Sequence, residues 1–137
     1  MRTYFDSSAF TKRYVEESGS QIVETACMEA SELALSILCS PEIISALNRR
    51  LREKALSKTQ YQAAKEYLLE DIRDADIIDL TTEVVRQSIP LLEAHPLRAI
   101  DALHVASALV WKAERFISSD ERQLAVAKKA GLKVQAV

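Results

Sequence analysis

The chain is predicted to be an α/β domain with a mainly parallel central sheet of about five strands and helices on both faces. Three observations predict it. Short runs of β-branched, aromatic and aliphatic residues alternate with longer stretches of helical period along all 137 residues. Only two glycines and three prolines are present, which leaves little room for long irregular loops. Finally, LRAIDALHVASALVW (97–111) reads as a helix apolar on nearly every side, as expected of a buried rod. A single domain spanning 1–137 is long enough to bury a substantial core.

The elements follow in order. RTYF (2–5) is short, aromatic and β-favouring, and it stops at Asp6. Ser7 and Ser8 offer N-cap hydroxyls for a helix over 9–16. Ser18-Gly19-Ser20 breaks the chain and caps a helix over 21–30, and LALSIL (33–38) is the second strand. Ser40, Pro41 and Glu42 have the chemistry of an N-cap, a first helical position and a first-turn acid. The helix they open continues through IISALNRRLREKA, with Ile43, Leu47 and Leu51 on its apolar stripe. Ser57 caps a helix over 58–73, with Tyr61, Ala64, Leu68 and Ile72 on one side. A third strand, 77–80, precedes Thr81 and Thr82, which start a helix over 83–93 that Pro90 is expected to kink. His95-Pro96 links it to the central helix. A fourth strand, 116–118, ends at Ser119-Asp120. A helix over 121–130 is closed by Gly131, and 132–137 is the last strand.

Composition excludes several classes. Eighteen basic against twenty acidic residues leave a net charge of -2, so the chain is no generally basic nucleic-acid binder. Any nucleic acid must be held by a local patch or through metal ions. Cys27 and Cys39 form no CxxC pair and no His cluster, which argues against structural zinc and fits a reducing compartment. No apolar run is long enough to span a membrane, and MRTYF enters a strand with no signal-peptide pattern. The expected location is the cytoplasm.

Four acids fall at special places. Asp6 ends the first strand, Glu42 begins the helix after the second, Asp101 lies in the first turns of the central helix, and Asp120 ends the fourth strand. In a parallel sheet these positions share the carboxyl edge, where ligands bind. Each has a structural explanation as a cap or a dipole partner. Gathering them is costly, since two unit charges about 4 Å apart repel by roughly 4 kcal/mol at an effective dielectric near 20. A cation between them removes that cost. Oxygen-only ligands point to Mg²⁺ or Mn²⁺ rather than zinc, and to metal-assisted phosphodiester hydrolysis. His104, three residues beyond Asp101, shares its patch of the helix and is read as packing or as a residue that orients Asp101 or a water.

FDSSAFTKRY, SPEIISALNR, LRAIDALHVASAL and FISSDERQLAVAKKAG resemble the motifs of PIN-domain ribonucleases, above all the VapC toxins of prokaryotic type II toxin–antitoxin modules. The likeness covers essentially the whole chain. It implies a PIN-like fold and Asp6, Glu42, Asp101 and Asp120 as the family's acidic metal-binding quartet, with no departure at the acids. It further implies Ser8 and Ser118 as supporting hydroxyls, RNA as substrate, a VapB-like antitoxin as inhibitor, and a homodimer. Lys12, Arg13, Arg49, Arg50 and Arg52 are candidates to grip RNA phosphates, although a charged helix face is often simply solvated. Tyr14 and Trp111 are read as packing in preference to base stacking. A receiver domain would need adjacent acids where Ser7 follows Asp6, and a haloacid-dehalogenase-type phosphatase a second Asp where Ser8 stands. The rival of another class is a non-catalytic binding module of the same fold, against which the four intact acids weigh.

Overall fold

The computed structural model describes residues 1–137. Five strands, β1 (Arg2–Phe5), β2 (Glu32–Ser36), β3 (Asp76–Ile78), β4 (Arg115–Ser118) and β5 (Lys133–Ala136), form one sheet in the order β3-β2-β1-β4-β5. All four pairings are parallel. Seven helices connect them: α1 (Ser7–Phe10), α2 (Ser20–Glu29), α3 (Cys39–Arg52), α4 (Lys58–Asp74), α5 (Thr82–Ala94), α6 (Ala99–Trp111) and α7 (Glu121–Lys129).

Strand alternation builds two cores. Tyr4 pairs with Ala34 on one side and Phe116 on the other, and this row meets Val105 and Ala108 of α6 and Leu124 and Ala127 of α7. The next residues along, Phe5, Leu35 and Ile117, point to the opposite face. There they meet Phe10, Val23, Ile43, Leu47 and Leu68 from α1 to α4. Helices therefore cover both faces, as expected for a parallel sheet.

Several helix starts differ from expectation. The helix expected over 9–16 is one turn, α1, followed by a 3₁₀ turn over Thr11–Arg13. Its cap is Asp6, whose Oδ1 accepts from the Ala9 N–H at 2.9 Å, so Ser7 and Ser8 are left free for other partners. α2 begins at Ser20 after Gly19, which takes φ 94°; the Ser20 hydroxyl accepts from the Glu17 N–H instead of capping. A Cβ at Gly19 would come within 2.9 Å of the Val137 backbone, so that crossing requires glycine. α3 begins at Cys39, which places Ser40 inside the helix and leaves no side-chain cap. Ser57 caps α4 through a reciprocal box with Gln60, and Thr81 caps α5. Pro90 lies inside α5 without ending it. Gly131 takes φ 101° after α7, in the role expected of it.

The sheet order fixes where the site lies. From β1 the chain moves outward to β2 and β3, then returns past β1 to β4 and β5. The order reverses between β1 and β4, and the crevice at their carboxyl ends is where open α/β sheets bind ligands. Asp6 follows β1 there, and Ser118 closes β4.

Candidate active site at the carboxyl edge

Asp6 is held by the elements that meet at this crevice. It is only 4% exposed. Its carboxylate accepts from the Ala9 N–H, from the Ser8 hydroxyl at 2.8 Å and from the Ser118 hydroxyl at 2.7 Å. Burial pushes the Asp6 carboxyl above the usual carboxylate range, against the pull of His104 and of these hydrogen bonds. Ser8 and Ser118 are thus in contact with Asp6. Ser118 Oγ also accepts from the Asp120 N–H at 2.9 Å and lies 3.0 Å from Gln123 Oε1. Its single proton serves the ionised Asp6 in preference, because charge-assisted bonds are the stronger.

Gln123 is a residue the sequence reading missed. It is fully buried, and its Nε2 donates to the Asp101 carbonyl at 3.1 Å, which ties α7 to α6 behind the acids. Asp120 and Gln123 have the three-residue spacing of a capping box, the one signal available. Only half of that box forms: Asp120 Oδ1 accepts from the Arg122 and Gln123 N–H groups, while the Gln123 side chain points inward.

Glu42, in the first turn of α3, has a different anchorage. Its Oε1 accepts from the Ser7 hydroxyl at 2.7 Å and from His104 Nε2 at 2.7 Å. Because a carboxylate only accepts, Nε2 carries a proton. In the neutral ring Nδ1 is then an acceptor for the Tyr4 hydroxyl, which stands 2.8 Å away. Burial raises the Glu42 carboxyl, but the bonds from His104 and Ser7 outweigh it and hold the group below its ordinary value. His104, read from the sequence as hydrogen-bonded packing or as a residue orienting Asp101 or a water, is buried and bonds to Glu42 and Tyr4, not to Asp101. Tyr4, which completes the chain, was also missed; a buried strand tyrosine carries no sequence mark that separates it from core.

Asp101 stands apart from the other three. Its residue is buried, yet its carboxylate accepts from nothing but Arg98, whose Nε lies 3.0 Å from Oδ2 and whose Nη2 lies 3.4 Å from Oδ1. The dipole-cap reading of this residue is thus only positional: it occupies the first turn of α6 but bonds to no backbone N–H. Asp101 and Asp120 line one open groove of about 570 Å³, together with Pro96, Arg98, Ser119 and Arg122. Asp6 and Glu42 stand outside that lining.

The donor set is one of carboxylate and hydroxyl oxygens, which fits a hard cation in type. The thiols do not compete: Cys39 is buried in the core, where burial drives its thiol well upward. As the side chains stand, no three acids, imidazoles or thiols converge closely enough to hold an ion.

The basic candidates divide. Arg13 forms a fork with Asp71 at 2.8 and 3.0 Å, pairs with Glu24, and lies over the Tyr67 ring. Lys12 bonds to the Ser18 carbonyl and Glu17, and Arg50 pairs with Glu17 at 2.8 Å. Arg49 and Arg52 are exposed on α3. Tyr14 donates to Asp71 at 2.6 Å and packs edge-on against Phe10 and Tyr67, while Trp111 donates to Asp76 and stacks beneath Arg2. Both aromatics are packing residues, as expected.

A family model described as the PIN domain matches residues 3–129. The chain belongs to the PIN-domain family, and its five-stranded parallel sheet is that family's fold. Over 107 residues, 77% of this chain and 74% of the relative, it is 35% identical to a Mycobacterium tuberculosis protein named Ribonuclease VapC45. The match to Ribonuclease VapC49 of the same species has the same extent. Within the PIN family the chain therefore stands among the VapC ribonucleases. The fold also superposes on the solved structure of M. tuberculosis VapC20, described as a sarcin-ricin loop cleaving toxin, with a TM-score of 0.71, 16% identity and 95% of each chain covered. It superposes on VapBC2 of Rickettsia felis, solved with a promoter DNA fragment, with a TM-score of 0.68, 14% identity and coverage of 100% and 99%.

Proposed function

We propose that this protein is a Mg²⁺- or Mn²⁺-dependent endoribonuclease, the toxin of a toxin–antitoxin pair, acting on RNA in the cytoplasm. The observation that carries the reading is that Asp6, Asp101 and Asp120 are tied to one edge at the β1/β4 switch point: Ser118 bonds both the Asp6 carboxylate and the Asp120 N–H, and Gln123, one turn into α7, bonds the Asp101 carbonyl. Asp6, Asp101 and Asp120 would hold the ion, with Glu42 as a further ligand or as the residue that positions the attacking water. When bound, the ion supplies Lewis-acid polarisation of the phosphodiester and acidification of water. Ser8 and Ser118 keep Asp6 aimed and favour its ionised form against the effect of burial. Tyr4 and His104 fix the direction of Glu42 from behind, and the open groove admits an unpaired strand. No covalent enzyme intermediate is involved.

The test is cleavage of total cellular RNA by purified protein, with Mg²⁺ or Mn²⁺ and with chelator, beside Asp6→Ala and Asp101→Asn. Discrete fragments that require metal and both acids are expected. Asp101→Asn should shift the melting temperature by less than about 2 °C, since its only partner is an exposed guanidinium. Unfolding of Asp101→Asn would instead make the residue structural. A folded wild-type protein that cuts no RNA under any of these conditions would favour the binding-module reading.

No helix is long and apolar enough to cross a membrane. Solved neighbours include a toxin–antitoxin complex from Klebsiella pneumoniae, with a TM-score of 0.68 and 16% identity. The partner proposed for this chain is accordingly a VapB-like antitoxin, and its own assembly a homodimer. Co-expression with a candidate antitoxin followed by sizing of the complex tests both.

A further inference from the structure

We infer that Arg98 is a tethered counter-ion that holds the Asp101 carboxylate in the absence of metal and must be displaced for metal to bind. The inference rests on the proposed metal dependence. Asp6, Glu42 and Asp120 are each fastened by groups that stay in place: backbone N–H groups, serine hydroxyls or a buried imidazole. Asp101 has only Arg98. The exposures of the two partners are opposite, with the Arg98 side chain 83% exposed and that of Asp101 12% exposed. A nearly buried carboxylate is thus neutralised by a side chain that is free to leave.

Arg98 sits at the N-cap of α6 with no side-chain cap bond, so its guanidinium has no helix-starting duty. The site as it stands gathers no three ligands. Release of Arg98 exposes both Asp101 oxygens to the groove shared with Asp120. Arg98 is therefore a positioning residue: it offsets the repulsion among the acids and holds the Asp101 carboxylate at the groove, and it competes with the ion it keeps a place for.

The built-in control is Arg122. It lines the same groove, but its guanidinium bonds to no carboxylate. Mn²⁺ binding to the full chain, followed by the electron spin resonance of the free ion, should be about three-fold tighter in Arg98→Ala than in wild type. Arg122→Ala should change it by less than half as much. The metal-induced rise in melting temperature should be larger in Arg98→Ala, and Arg98→Lys, which keeps the charge but loses the fork, should fall between. Equal or weaker Mn²⁺ binding by Arg98→Ala overturns the inference while leaving metal dependence intact. Equal tightening in Arg122→Ala also overturns it, because the effect would then be one of net charge. If neither wild type nor Arg98→Ala binds Mn²⁺, the metal-dependent reading falls, and this inference with it.

Discussion

Ser118→Ala removes one oxygen from the centre of the site, and its cost can be worked out bond by bond. The hydroxyl is fully buried and donates to Asp6 Oδ2 at 2.7 Å. A hydrogen bond to an ionised group contributes about 1.5–3 kcal/mol. The Asp120 N–H also loses its acceptor, but it is partly exposed and water can replace it. Asp6 keeps Ser8 and the Ala9 N–H, so the expected loss is about 2 kcal/mol, or about 7 °C in melting temperature for a chain of this size. The loss should depend on pH in a defined direction. Burial raises the folded-state Asp6 carboxyl above its unfolded value, so ionising it in the folded protein costs stability as pH rises through the window between the two. Ser118 reduces that cost, and removing it raises the folded value further. The penalty of Ser118→Ala is therefore complete above the raised Asp6 value and shrinks as pH falls through it. Thermal unfolding of both proteins across this range measures it. A penalty that stays below about 0.5 kcal/mol throughout, or one that does not grow as pH rises, would refute the assignment of Ser118 as a residue that favours the ionised form of Asp6.

Asp120 can be divided into cap and charge. Asp120→Ala should lose about 1 kcal/mol with the α7 cap as well as cleavage, whereas Asp120→Asn should retain most of the stability and lose only cleavage, as read by urea unfolding beside the RNA assay. Arg13→Ala should destabilise by about 2 kcal/mol through loss of the Asp71 fork and the Tyr67 face, and Arg13→Lys should restore little of it; a stable Arg13→Ala with weakened RNA binding would return this residue to the phosphate-gripping set. Arg49→Ala should leave stability unchanged and lower the salt dependence of RNA binding by about one unit of slope if α3 meets the backbone. Tyr4→Phe should leave His104 Nδ1 without its donor at a cost of about 1–2 kcal/mol, measured by unfolding, with no change expected in the capping of α1.

The amino-acid sequence by itself determined the layered architecture. Alternation along RTYF and LALSIL, helical period along 58–73 and 97–111, and the scarcity of glycine and proline are local or short-range properties, and they permit little but a parallel sheet between helices. The placement of the four acids in the fold was legible for the same reason: each stands at a strand end or a helix start, and strand ends of a parallel sheet share one edge. Helix starts were less legible where a side chain had a distant claim on it. Ser7, Ser8 and Ser20 have cap chemistry, but Asp6 took the α1 cap and released Ser7 to Glu42 and Ser8 to Asp6. Which polar groups face one another was left to the tertiary structure. The contact between Tyr4 and His104 spans 100 positions and that between Ser118 and Asp6 spans 112, and no local period encodes such distances. The fates of Arg13 and Arg98 were settled in the same way. In the sequence both are simply basic; packing committed Arg13 to Asp71 and the aromatic wall, and left Arg98 in water as the single partner of a buried carboxylate. Burial decides how strongly a charge needs its partner, and burial is a property of the folded chain alone.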